Sequence, residues 1–419
     1  MPFAHLKHAV AAATHPDPYP FYTRLRSCPP LGRDDGLGMR LAADAATVAA
    51  VLTDHRCRVR PPAEPVPTVL AGSVAGGVFR RLVRMIDGEA HASGRRAVVA
   101  ALAMLDPASV GAGGRRRATV LLAERGAGGP GWLTGFALDL PAFVVGGLLG
   151  IAEGALPATA RAVEAFARCL APGSTSEEIA LGKVAAERLA GEVRAILDRG
   201  EPGGLLAALL AARLTAGGRC PTPDPESVPH RTSVHDPDPG PEPAGPPAPD
   251  PAWVVANAIG LLVQAYEATA GLVLNGLRVL ALDPALRAAV AADPGLLGPL
   301  LAEVLRFDPP VQNTRRFVAE AGEMAGQPVS PGDTILVLLA AAGRDPAANP
   351  DPNRFDLHRG ERRLFAFGAG SHECPGQGVA LAVAEAAVRA VLESGVGLER
   401  LAEPRSFRRS ANTRLPLWP

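Results

Sequence analysis

Neither sign of charge is in surplus: 42 basic and 42 acidic side chains balance to a formal net charge of zero over 419 residues. That balance argues against a nucleic-acid binder, whose phosphate contacts need Lys and Arg concentrated on one face. Lysine is nearly missing, present only as Lys7 and Lys183. Cysteine is sparse too: Cys28, Cys57, Cys169, Cys220 and Cys374 are odd in number and widely scattered. No two share the close spacing of a zinc ribbon or a redox C-x-x-C, which sets aside a disulfide scaffold and a structural zinc. The N-terminal stretch MPFAHLKHAVAAATHPDPYP lacks a basic segment followed by an apolar core. No signal peptide is therefore expected, and the chain reads as cytoplasmic and reduced. A P-loop is absent, since Gly182-Lys183 is followed by Val184, and so are a G-x-S-x-G elbow and a convincing repeat.

What is present is apolar: 47% of the residues are hydrophobic, enough for a large buried core. From Val254 to Gly276 the only charged residue is Glu267, and the stretch exceeds the roughly 20 apolar residues that span a bilayer. Asn257, Gln264 and Glu267 lie inside it, and a central acid costs about 2.5–3.5 kcal/mol on insertion scales. We read it as the buried central helix of a large protein and expect no membrane span. Before it, residues 221–251 carry proline at every second or third position over most of their length. Proline removes the amide donor and blocks helix propagation, so this is an exposed, extended loop: a linker, or a surface insertion in one domain. Most of the remainder reads as helix: Ser176 to Asp198 with Glu177 and Glu178 in its first turn, Leu205 to Leu214, and Pro299 to Arg306 ended by Pro309 and Pro310. Thr334 to Leu339 is the clearest strand, introduced by the turn Ser330-Pro331-Gly332-Asp333.

The most informative segment is Phe365 to Gly378, FAFGAGSHECPGQG. Gly368, Gly370, Gly376 and Gly378 surround Cys374, and an Ala-rich helix is expected from Val379 to Leu392. Glycines let the backbone turn tightly and approach a flat ligand. A cysteine just before a helix start faces backbone N–H groups and the positive dipole end, which favours the thiolate. A single thiolate without partners at zinc spacing suits one axial position on a haem iron. A buried free cysteine is the ordinary alternative, but Phe367-Gly368-x-Gly370-x-His372-x-Cys374-x-Gly376 is too specific for it. A dinucleotide-binding reading of Gly368-Ala369-Gly370 fails for want of a third glycine and a βαβ unit.

On these residues the sequence resembles the cytochrome P450 family, in its soluble bacterial class, over almost the whole chain from Asp17-Pro18-Tyr19-Pro20 onward. The abundance of Arg and Ala then reads as the codon bias of a high-GC bacterium. The resemblance implies a mainly α P450 fold: a single-domain helical prism around haem with small peripheral β-sheets, spanning 1–419, with 221–251 as a surface insertion. It implies haem b (iron protoporphyrin IX) with Cys374 as the proximal metal ligand, and Phe367, Gly368 and Gly376 in the cofactor-binding loop. Haem propionates need donors, and four residues match family positions: His91 and Arg95, four apart on one helix face, Arg316, with Arg315 as its register rival, and His372. Glu303 and Arg306, three apart on one helix, together with Arg354 in Pro352-Asn353-Arg354-Phe355, look like the family's structural charge network.

The central helix departs from the family pattern. An acid, Glu267, is followed by Ala268 where the resemblance implies a threonine, and Thr269 lies one residue later, about 100° around the helix. The family hydroxyl orders water and proton delivery, which a methyl group does not supply. A substrate hydroxyl or water replaces it, or Thr269 reaches through a helix distortion, or the reaction is coupling, cyclisation or group transfer without net oxygen insertion. Substrate contacts are expected from the loop Pro61 to Arg84, from Gln264 and Ala268, from Val311 to Thr314 including Asn313, and near Ser410 to Asn412. Tyr266 offers a phenol or faces the core.

The resemblance thus implies a haem-thiolate oxidoreductase of monooxygenase type acting on a small organic, secondary-metabolite substrate. Glu267, Ala268 and Thr269 form its catalytic stretch, and electrons come from an external ferredoxin and ferredoxin reductase. A non-catalytic P450-like partner protein is the remaining alternative.

Overall fold

The computed structural model describes residues 8–125, 131–200, 202, 204–215 and 250–418. It is mostly helical, about 60%, with small sheets. At its centre is the helix Pro251–Leu282, 32 residues long, which at 1.5 Å per residue is about 48 Å. Asp250 caps it by accepting from the Ala252 amide at 3.0 Å, and Pro251 occupies the first turn, where its missing N–H leaves no bond unmade. The helix therefore takes over at the very end of the proline-rich stretch, of which 221–249 lie outside the described residues. This is the one described helix long and apolar enough to cross a membrane, and 67% of its most apolar window is buried inside the protein. It packs on Trp132–Leu148 and on Gln377–Glu393, whose apolar faces join it in one core cluster.

The other expected helices form close to their expected ends. Ser176–Asp198 starts at a capping box: the Thr175 hydroxyl accepts from the Glu178 amide at 3.2 Å, and the Glu178 carboxylate accepts from the Thr175 amide at 2.8 Å. Gly204–Thr215, Leu297–Phe307 and Gln377–Glu393 match the remaining apolar periodicities. The strand expected over Thr334 to Leu339 is shorter. It ends at Val337, and Leu339 already opens a short helix to Gly343. Leu338 gives its amide to the Ala42 carbonyl at 2.8 Å, so pairing with a distant strand sets the boundary that apolar character left open.

That strand sits in a five-stranded sheet, ordered Arg33–Asp34, Met39–Ala42, Thr334–Val337, Thr314–Val318, Cys57–Arg58. Thr314–Val318 runs antiparallel to Thr334–Val337, with Arg316 opposite Ile335. The alternation along it turns Arg316 inward and leaves Arg315 half-buried, which resolves the register between the two arginines in favour of Arg316.

The charge network differs from the expected trio. Glu303 and Arg306 are both 0% exposed, with the Arg306 Nη2 to Glu303 Oε1 distance 2.6 Å. The other partners of Glu303 are Arg359 at 3.2 Å, Arg362 at 3.0 Å and the Asp356 amide at 3.0 Å. The Arg354 side chain is 71% exposed, 4.0 Å from Asp356, and only its carbonyl takes part, accepting from Arg306 and Arg359. Arg359 and Arg362 thus take the place the sequence pattern assigned to Arg354. Burial alone would raise the Glu303 carboxyl, but the Arg306 hydrogen bonds and the Asp356 amide outweigh it and hold the group below the ordinary range.

Candidate active site

The cysteine loop is built by two backward turns. The Gly368 amide donates to the Phe365 carbonyl at 2.8 Å, the Glu373 amide to Gly370 at 3.1 Å, and the Cys374 amide to Phe367 at 2.8 Å. Gly368 and Gly370 carry φ values of +74° and +69°, in the left-handed region that side chains avoid. A Cβ on Gly370 would also lie 3.3 Å from the Leu52 carbonyl oxygen. Both glycines are required by geometry, and together they present Cys374 at the start of Gln377–Glu393.

Cys374 is half-buried on the wall of a cavity of about 350 Å³. The same cavity is lined by Phe367 and Gly376 from the loop, by Gln264, Glu267, Ala268 and Thr269 from the central helix, and by Val311 and Asn313. Sequence reasoning placed the thiolate as favoured; the pocket instead raises the Cys374 thiol above its ordinary value. Burial outweighs the Gly376 amide and the Arg95 charge, which act in the opposite direction. A metal bond would take the proton's place. Among the described residues no group of three or more His, Cys, Asp or Glu could hold a bare metal ion, so iron at Cys374 requires other donors of the kind a porphyrin brings.

The four expected propionate partners gather around the same loop. His91 is buried and its ring stacks on His372 with centroids 3.9 Å apart. His372 lies 3.1 Å from Asp87. Burial, reinforced by His372 and Arg95, pushes His91 down to about 4. Arg95 donates to the Glu373 carbonyl next to the cysteine. Arg316 is buried and donates to the Arg315 carbonyl at 3.0 Å, with no carboxylate in ion-pair contact among the described residues; burial lowers its guanidinium. Arg316 and Arg95 outnumber the single carboxylate Asp87, and the two stacked imidazoles add ring nitrogens beside them. This donor set fits an anionic, largely enclosed group such as haem with its propionates.

The central helix runs without a break across Gln264 to Thr269, so no distortion redirects Thr269. Ala268 and Thr269 both line the cavity nevertheless. Glu267 is tethered: its Oε1 lies 3.4 Å from Arg408 Nε, and Arg408 also reaches Glu164 at 3.1 Å. Tyr266 is 1% exposed in the core and takes no part in the cavity wall. Gln264 donates to the Gly260 carbonyl of its own helix at 2.9 Å, and Asn313 donates to Ala411 at 3.0 Å. Both amides thus have structural duties, Asn313 fastening the Ser410–Asn412 turn. Arg84, at the end of the expected substrate loop Pro61 to Arg84, lines the cavity too. Arg408 was not singled out from sequence.

The sequence profile of the family described as Cytochrome P450 matches residues 296–394, which hold both the Glu303 network and the cysteine loop. The fold agrees over nearly the full length. The crystal structure of P450BioI in complex with hexadec-9Z-enoic acid ligated acyl carrier protein superposes with a TM-score of 0.78, covering 95% of this chain and 96% of that one at 21% identity. The crystal structure of CalO2 gives 0.78 with 100% and 97% covered at 22% identity. The chain thus carries the cytochrome P450 sequence pattern over residues 296–394 and shares the fold of solved cytochrome P450 structures. Among curated relatives, this chain is 43% identical over 134 residues to cytochrome P450 monooxygenase PikC of Streptomyces venezuelae, and 39% identical over 134 residues to 6-deoxyerythronolide B hydroxylase of Saccharopolyspora erythraea. Those alignments span 32% of this chain and 32% and 33% of the two relatives, so the chain matches about a third of their length.

Proposed function

We propose that this protein is a cytoplasmic P450, a haem-thiolate monooxygenase acting on a small organic secondary metabolite, with haem b held by Cys374. Electrons come from a ferredoxin and its reductase. The observation that carries the reading is the Cys374 sulfur on the wall of the cavity that the Gln264–Thr269 stretch of the central helix also lines. Haem, when bound there, supplies dioxygen activation: with two electrons and two protons, one oxygen atom enters the substrate and the other leaves as water.

The chain's own residues position and protect. Cys374 holds the metal, and the turns at Gly368 and Gly370 fix the direction of its sulfur. His91, Arg95, Arg316 and His372 pair with the propionates, whose charge complements Arg95 and Arg316. Leu272, Leu305 and Val311 exclude water from the cavity. Glu267, on the cavity wall and tethered by Arg408, moves protons. Gln264, Asn313 and Val311 border the substrate.

The family hydroxyl is replaced by the Ala268 methyl in an unbroken helix. That observation favours a second reading, in which the reaction is coupling, cyclisation or group transfer without net oxygen insertion. A purely non-catalytic partner has no use for the cysteine, the donor cluster and the cavity together.

Carbon monoxide added to the reduced protein should give the red-shifted Soret band of a thiolate haem, and Cys374→Ala should lose it. An unchanged spectrum in that variant refutes the assignment. Ala268→Thr separates the two readings: a several-fold gain in coupled hydroxylation favours ordinary monooxygenation, whereas an unimproved native reaction favours the atypical one.

A further inference from the structure

We propose that Arg84 anchors a carboxylate on the substrate, so that the molecule this protein takes is an organic acid with an apolar body. The inference rests on the cavity being the substrate site, as proposed above, and names the chemistry of what enters it.

Arg84 lies in the short 3-10 turn Val83–Met85, whose apolar neighbours Leu82, Val83 and Ile86 are buried. Asn257 of the central helix clamps this turn from both sides. Its Oδ1 accepts from the Val83 amide at 2.9 Å, and its Nδ2 donates to the Arg81 carbonyl at 3.0 Å. The arginine is therefore held in place by the same helix that lines the cavity.

Arg84 lines that cavity beside Leu102, Val145, Leu148 and Leu261. Its side chain is solvent-accessible and is part of the cavity wall; the protein packed around it lowers the guanidinium, and no counter-charge acts on it. Among the described residues it has no hydrogen bond or ion pair. The other charged residue of the cavity wall, Glu267, is already paired with Arg408. A guanidinium with no partner among the described residues, set on an apolar cavity wall, is complemented by an anion that a ligand brings into the cavity.

Two carboxylate sources have this chemistry: the substrate and the haem propionates. Asp87, three residues along, acts on Arg316 and His91 but not on Arg84. None of His91, Arg95, Arg316 or His372 lines the cavity wall that holds Arg84. Four donors serve the cofactor there, which leaves Arg84 for the substrate.

The test uses the haem-loaded protein with decanoate and decan-1-ol, equal in chain length and different in charge. Binding is followed by the Soret shift and by calorimetry. The unaltered protein should bind decanoate about tenfold more tightly than the alcohol or better. Arg84→Leu should erase that preference, Arg84→Lys should keep part of it, and both should retain full haem content and the thiolate band. No decanoate binding, equal affinities, or a preference surviving in Arg84→Leu overturns the proposal. Loss of haem from Arg84→Leu also overturns it, because the arginine then serves a propionate. If the thiolate band is missing from the unaltered protein while calorimetry still shows the Arg84-dependent preference, the haem reading falls and the acid-binding one stands.

Discussion

Two charged side chains in this protein have opposite surroundings. Glu303 is met by three guanidinium groups and a backbone amide, and Arg306 gives its remaining donors to the carbonyls of Gly343, Pro352 and Arg354. Arg84 has none of this: it faces an apolar cavity with no partner among the described residues. Where every donor and acceptor is matched from within the chain, the charge serves the fold. Where one is left over beside open space, its complement has to come from outside.

Substitutions test that contrast directly. The largest effect is expected at Glu303→Ala, which strands the buried Arg306 and should cost about 3–5 kcal/mol in a urea titration. Because the folded Glu303 titrates below its ordinary value, its contribution is present above the unfolded carboxyl value of about 4.3 and is lost as pH falls through the lower folded one. A Glu303 variant should accordingly lose less stability than the unaltered protein over that acid window. Arg84→Leu should behave in the opposite way, leaving stability within about 0.5 kcal/mol or raising it, since no partner is stranded. A loss comparable to that of Glu303→Ala would erase the distinction. The smallest change is expected at the exposed Arg354→Ala, within about 0.5 kcal/mol; a loss of several kcal/mol there would restore Arg354 to the network.

Legibility followed the range of the interaction. The acidic first turn of Ser176–Asp198 and the glycine turns before Cys374 are set by neighbours within a few residues, and each was readable. Glu303 and Arg306, three apart on one helix, were readable for the same reason. Their partners Arg359 and Arg362 come from a loop more than 50 residues away in a cluster of several arginines, and nothing local distinguishes them from Arg354. The Cys374 thiol was misjudged because burial, a property of the assembled fold, outweighs the helix start. The strand ending at Val337 was overextended because Ala42 decides where it stops. Arg408 could not be found from its surroundings, since its meeting with Glu267 depends on the final hairpin, Ser406–Phe407 against Pro416–Leu417.

That hairpin couples the tail of the polypeptide to its reactive centre. The guanidinium that restrains the helix carboxylate is delivered one residue beyond the strand Ser406–Phe407, so peeling the hairpin open releases the acid without touching a single group near the sulfur. On the proposed reading of Glu267 and the haem, fraying at this end alters how protons are supplied while the colour of the protein stays the same.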